Sequence, residues 1–577
     1  MHPDKPLHPK MIANNVFDYI ICGGGTSGCV IASKLASLPN VSVLLVESGR
    51  DSGLAPDVLV PGCYVKQLKE DHDGLWELET TKQRQLKDRK LVFLRGKQMG
   101  GSSAVNYMAL ARGPAADYDE WAALTGDDGW KWENILPLMK DLEDFDPRLP
   151  TGMKGFADPQ PSNHGGSGPL KIGFGDEMVP GVQTFFEACI ETGIPLCADN
   201  NSGNPIGVGL AQFNVRNGER IYAANAFLDN PTRNRLKNLI ILTDTDCDKV
   251  HIKNGVATGV DLYHRHSAET VHIKCRNEVI VCAGTFGSVK ILNLSGIGPR
   301  DILEQHNIPV VIDLPECGKN MLDHSIITCE YKVDNQVPAH NQLFLQPKLL
   351  KEAQVQYAQS RTGPLAMYGS NGAVTFPRIQ KIFDSDEFAN LDYQTRDFLL
   401  EPTRPSAEIW LGSGPSVSSV DDEPHESYIT HELLLQNNLS RGTVTISSQD
   451  PRELPVVNPN FLDHPFDRRI AIESIRTALH ISRTSAYRGT IERMVHGPTF
   501  DFMSTNPDMI SDEVMLDFIR GNLDQGYHSM GTCKMGRRND STAVVDTQFR
   551  VIGMQNLRVA DLSKYIAIAP SQHQIQV

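Results

Sequence analysis

Apolar residues run almost unbroken from Val16 to Cys22, interrupted only by Asp18, and again from Val41 to Val46. Runs this short and this rich in Val, Ile and Leu predict strands. Between them, Cys29 to Leu38 places Ala32, Leu35 and Ala36 on one face, which predicts a helix packed against those strands. Farther along, Asn238–Leu242, Val256–Leu262 and Glu278–Cys282 are strand-like, and the last ends at Ala283-Gly284, a second strand-to-glycine junction. Val444–Ser448 followed by residues 466–483 predicts a strand and then a helix. The Gly/Pro-rich stretch from Phe145 to Pro169 predicts a long loop, and the polar stretch from Gly412 to Pro424 a surface loop. No internal repeat and no long low-complexity segment interrupts this pattern.

The joint between the first strand and the first helix is Gly23-Gly-Gly-Thr-Ser-Gly28, and Glu47 closes the second strand 19 residues after Gly28. This order points to a dinucleotide site. Gly23 permits the tight turn, Gly25 lets backbone approach a pyrophosphate, and Gly28 lets the helix lie close to the strand. The helix opening near Thr26 directs free N–H groups at the phosphates, and Glu47 is placed to bind ribose hydroxyls. A glutamate at position 47 disfavours a 2′-phosphorylated cofactor and leaves NAD and FAD both open.

Composition narrows the classes. The 577 residues suffice for more than one domain, and 40% are hydrophobic. Lys plus Arg is 55 against 70 Asp plus Glu, a formal charge of −15, which argues against nucleic-acid binding. The eleven cysteines form no C-x-x-C pair and are read as buried thiols in a reducing compartment. No apolar run reaches membrane-spanning length. The N-terminus has no secretory apolar region and the C-terminus no peroxisomal address, so the expected location is intracellular, in the cytoplasm.

A second glycine run, Arg95-Gly-Lys-Gln-Met-Gly-Gly-Ser-Ser-Ala-Val-Asn106, offers a flat backbone with hydroxyl and amide donors. To these two blocks are added Gly284-Thr-Phe-Gly-Ser-Val-Lys-Ile-Leu-Asn-Leu-Ser-Gly-Ile-Gly298 and His528-Ser-Met-Gly-Thr-Cys-Lys-Met-Gly536, the latter followed by Val545-Asp and Leu557-Arg-Val-Ala-Asp561. Leu75-Trp-Glu-Leu-Glu-Thr-Thr81 and Gly318-Lys-Asn-Met-Leu-Asp-His324 are smaller echoes. Taken together these blocks resemble the glucose–methanol–choline (GMC) family of FAD-dependent oxidoreductases. The resemblance implies an α/β fold, with a Rossmann-like FAD-binding domain and an interleaved substrate-binding domain built on an antiparallel sheet with helices. The expected division is 16–150, 240–320 and 521–577 for FAD, with 151–239 and 321–520 mainly for substrate.

The activity implied is oxidation of an alcohol (primary, aryl, small aliphatic or secondary-metabolite) to the aldehyde, by hydride transfer to flavin N5, with O2 or another electron acceptor. By the resemblance, His528 is the base and His573 its partner at the substrate oxygen. Histidine suits a proton transfer near neutrality. The implied cofactor contacts are Gly23, Gly25, Thr26, Ser27, Gly28, Glu47, Ser48, Arg95, Met99, Gly101, Ser102, Ser103, Asn106, Tyr107, Met108, Ala109, Val250, Ala560 and Asp561, with no metal. Asp561 is also expected to cap Leu562-Ser563. Val105 stands where some members carry a histidine bonded to the flavin, so non-covalent FAD is expected.

Met99 and Val289 are mild apolar departures from the family pattern. The larger one is the end of the chain, where members continue into a closing helix beside the flavin and this sequence stops at Val577. That departure keeps a second expectation open, an FAD-binding protein with impaired catalysis; action on an aldehyde or on formate is a third. Trp410 is read as a core residue and His324 as a packing or capping one. His264, His266 and His272 are read as surface strand residues without metal partners.

Overall fold

The first apolar run becomes strand β1, Val16–Cys22, and the second becomes β2, Val43–Val46, every residue of which is buried. Helix α1, Thr26–Ala36, joins them and buries Gly28, Cys29, Ala32 and Ala36. The computed structural model describes residues 7–53, 55–64, 68, 72–175, 178, 181–334, 341–366, 372–414 and 426–565. His573 and most of the stretch from Gly412 to Pro424 lie outside them.

In the first of two seven-stranded sheets, Leu239–Leu242, β2, β1 and Glu269–Val281 run side by side in parallel. Strand Glu269–Val281 is 13 residues long and serves two partners. Its first half pairs antiparallel with Val256–His264, which pairs in turn with Thr245–Lys253. Its second half pairs with β1 on one edge and with Leu557–Val559 on the other, both parallel. A residue near the C-terminus thereby closes a sheet begun by residue 16. Helix Gly284–Leu294 follows directly, starting from Gly284 at φ 74°.

The second sheet is antiparallel. Its main path is Ile491–His496, Ser325–Val333, Ser427–Leu435, Ala407–Ser413, Ala373–Phe376 and Gly207–Leu210, and Asp524–Gln525 adds to the end of Ser325–Val333. Helix Pro465–Ser482 packs against Ser427–Leu435 and Ala407–Ser413. The sheet alternates: Leu433 and Leu435 are buried on one face, while Glu432 and Leu434 line a cavity on the other. The Gly/Pro-rich stretch after Asp146 is largely turns with one short 3-10 segment, Pro161–Asn163, and gives way to strand Leu170–Gly173.

Candidate active site

One cavity of about 650 Å³ lies between the carboxyl ends of the parallel strands and the open face of the antiparallel sheet. Cys22, Glu47 and Cys282 reach it from the first sheet, and Ile326, Trp410, Glu432 and Leu434 from the second. The carboxyl ends of parallel strands are the usual ligand position in such sheets.

The floor is made by two glycine loops in backbone contact. Gly100 donates its N–H to Gly24 O at 2.8 Å. A Cβ on Gly101 (φ 52°) would fall 2.7 Å from Gly25 Cα, so only glycine lets the loops approach this closely. Gly28 is under a tighter constraint, since a Cβ there would lie 1.9 Å from Gly23 O. Met99 is buried beneath Gly24 and does not line the cavity. Ser103 Oγ donates to Gly100 O at 2.6 Å, and Asn106 Oδ1 accepts from Arg220 at 3.0 Å. Arg220, fully buried, also bonds the carbonyls of Val58 and Asn106 and so ties the second loop down.

Glu47 accepts N–H bonds from Gly24 at 2.8 Å and Gly49 at 2.9 Å while facing the cavity. Burial outweighs these bonds and pushes its carboxyl up to about 7. Asp561 accepts from Gly284 N–H (2.9 Å), the Ser288 hydroxyl (2.5 Å) and Ser563 N–H (2.8 Å), so it closes the start of one helix and caps Leu562–Lys564 together.

At the other end, a loop carries His528 into the cavity wall. Tyr527, at φ 64°, is in a conformation that costs a bulky side chain free energy. A Cβ on Gly526 would lie 1.8 Å from His324 O. Asp323 holds this strained turn: Oδ1 accepts from His528 N–H at 2.7 Å and Oδ2 from the Ser529 hydroxyl at 2.9 Å. Arg95 donates to Ser529 Oγ at 2.6 Å, so it braces the histidine loop. His324 does more than pack: its Nδ1 lies 3.1 Å from His528 Nδ1. Burial, then the neighbouring His324 and Arg95, hold the His528 imidazole well below its ordinary value of 6.5, so it is neutral at neutral pH.

Two family models, both described as GMC oxidoreductase, match residues 17–326 and 438–574. The chain belongs to the GMC oxidoreductase family. It is similar to the dehydrogenase pkfF of Emericella nidulans, 33% identical over 97% of this chain and 91% of the relative. Its fold matches pyridoxine 4-oxidase from Mesorbium loti with a TM-score of 0.79 and 26% identity, covering 97% and 96% of the two chains. It also matches formate oxidase, with a TM-score of 0.85 and 25% identity, covering 97% and 95%. The family is FAD-dependent, and this GMC chain has the α/β fold that goes with it.

The cavity of this GMC oxidoreductase suits a dinucleotide. Gly25, the residue before α1, offers no side-chain cap, so the first N–H groups of the helix need an acceptor from outside. Of the expected contacts, Gly23, Gly25, Thr26, Ser27, Glu47, Ser48, Arg95, Gly101, Ser102, Ser103, Asn106, Tyr107, Ala109 and Asp561 line it. Gly28 and Ala560 stand behind it, and Met108 is buried in a cluster with Phe213, Phe376 and Trp410. Val250 is not among the lining residues: its N–H donates to Ser295 Oγ at 2.8 Å, and its strand borders the cavity at Thr245–Asp248.

Trp410 is both buried and cavity-lining. His272 is not without partners, because Asp261 accepts from His251 Nε2 at 2.6 Å and lies 3.3 Å from His272 Nδ1. Sequence reasoning missed Tyr527 and Glu432, which had no motif to mark them. It quoted Asp323 without giving it a role. Among the described residues, no helix is long and apolar enough to cross a membrane.

Proposed function

We propose that this chain oxidises a primary alcohol to the aldehyde, with FAD held non-covalently in the cavity and His528 taking the hydroxyl proton. The FAD, when bound, accepts the hydride and passes electrons to O2 or another acceptor. The glycine loops, Glu47 and Asp561 hold the cofactor, and the sheet face with Ile326, Trp410 and Leu434 closes over the substrate. The observation that carries the reading is the His528 imidazole in the wall of this cavity, its Nδ1 3.1 Å from His324 Nδ1 and its Nε2 without a partner among the described residues. For His528 Nε2 to accept a proton, Nδ1 must carry one and donate it to His324 Nδ1, which fixes the tautomer of both rings.

His324 is therefore a positioning residue. In His324→Asn, kcat falls about tenfold while KM stays within about twofold, because substrate contacts persist and the base loses its orientation. Rapid-reaction kinetics measures this split. An unchanged kcat rejects the tautomer argument.

Non-covalent binding has its own test. Val105, which borders the cavity, offers no nucleophile for a flavin bond. Acid precipitation of the holoenzyme should leave all the flavin in the supernatant. Yellow colour retained in the washed pellet overturns this part of the proposal.

A further inference from the structure

The cavity wall contains a carboxyl group that the reaction above does not use. Glu432 lies on Ser427–Leu435, opposite Trp410 on the next strand, and borders the cavity with Ile326 and Leu434. Its neighbours are already paired. The Trp410 indole N–H donates to Glu408 Oε1 at 2.5 Å, Glu408 Oε2 accepts from Gln436 at 2.8 Å, and the Thr430 hydroxyl donates to Gly414 O at 2.7 Å. Among the described residues, none forms a hydrogen bond or ion pair with the Glu432 carboxylate. Gly412 leaves it room: a Cβ there would come within 3.4 Å of Glu432 Oε1. The cation nearest the His528 loop, Arg95, is turned to Ser529 and Asp323.

We propose that Glu432 is the substrate-recognition residue of this site, and that the substrate is an alcohol carrying a second hydrogen-bond donor, a hydroxyl or an amine, apart from the carbinol that is oxidised. The inference rests on the cavity being the alcohol site, and deepens that reading. A half-buried carboxyl group with no partner on the protein keeps its acceptor sites for a ligand, and a donor on the ligand satisfies them when the cavity fills.

Burial and the charge of Glu330 push the Glu432 carboxyl up to about 7. Tyr107 from the glycine cradle, Tyr527 from the histidine loop, Glu408 on the same sheet face and, beyond Tyr527, Asp524 are its other titratable neighbours among the described residues. At that value it serves a hydroxyl in either state and an ammonium group when ionised. Tyr107 meets Tyr64 edge-on at 5.1 Å and Tyr527 at 6.2 Å, which supplies flat apolar walls for the body of such a molecule.

The test uses FAD-loaded protein and three probes: benzyl alcohol, 1,4-benzenedimethanol and 4-(aminomethyl)benzyl alcohol. Flavin reduction gives kcat/KM for each. Flavin difference spectra with benzyl methyl ether, 4-(methoxymethyl)phenol and 4-(methoxymethyl)benzylamine, none of which carries an oxidisable carbinol, give Kd without turnover. The wild type is expected to prefer at least one donor-bearing probe over benzyl alcohol by at least about tenfold in both readings. Glu432→Leu abolishes the preference, read as the ratio of each donor-bearing probe to benzyl alcohol, with FAD content as the control for folding.

Glu432→Gln separates the two donor sources: it keeps a preference for the diol and loses one for the amine. In the wild type the amine's Kd tightens as pH rises through about 7, as the carboxyl ionises. Equal preference in the wild type and Glu432→Leu, by Kd, overturns the inference even if every alcohol reduces the flavin. Failure of all three alcohols to reduce the flavin overturns the oxidation reading alone, since the ether Kd values still report on Glu432.

Discussion

In the His528→Ala holoenzyme, anaerobic reduction of the flavin by an alcohol slows by at least about 100-fold, the usual worth of a positioned general base. FAD content and melting temperature stay at wild-type values, because the backbone of residue 528 keeps its bond to Asp323 and the loop remains held. The imidazole is neutral in the resting site, held below its ordinary value by burial and by His324 and Arg95. A base whose value is depressed keeps its lone pair as pH falls. Wild-type reduction of a mono-alcohol therefore stays on its plateau through 6.5, the ordinary imidazole value, and declines only below it. Stopped-flow absorbance across pH checks both statements. Unchanged reduction in the alanine variant, or an acid limb at or above the ordinary value, removes His528 from the mechanism.

The second large effect lies at the opposite end of the cavity. Gly28→Ala places a methyl group where Gly23 O stands, 1.9 Å away, and neither atom belongs to a flexible side chain. The start of α1 must move off the strand, carrying the amides that face the cavity with it. Overpacking of this kind costs about 1–3 kcal/mol, and displacing the amides costs binding in addition. The variant is expected to purify colourless, with FAD affinity down by more than about 100-fold, equivalent to about 2.8 kcal/mol. Gly25→Ala is the informative companion. Its Cβ would meet only Gly101 Cα at an ordinary 3.8 Å, so the fold accepts it, and loss of FAD there reports close approach of the ligand itself. Absorbance of the purified proteins and FAD titration of the apo forms decide. A yellow Gly28→Ala protein with wild-type affinity contradicts this account.

The cofactor half of the molecule was readable because its signals are local. β1, α1 and β2 follow one another within residues 16–46, and hydrophobic run length, glycine spacing and the acid at position 47 all fall inside that window. The strand-to-glycine junction at Ala283-Gly284 was legible for the same reason. The substrate half was not, since its sheet assembles strands from residue 207 to residue 525 and its face is defined only once they pair. Glu432 sits in an apolar run and reads there as an interruption. Pairing turns it toward the cavity, opposite Trp410. His324 was quoted within a motif, yet its contact with His528 joins positions 204 residues apart.

The central claim is that a flavin and a neutral histidine share one cavity with an oxidisable alcohol. Mixing the FAD-loaded wild-type chain anaerobically with a panel of primary alcohols, and following the visible flavin band, tests it most directly. The account predicts bleaching by at least one alcohol, with the matching aldehyde formed in a one-to-one ratio to reduced flavin. A fully loaded, folded protein whose flavin stays oxidised with every alcohol in the panel contradicts it.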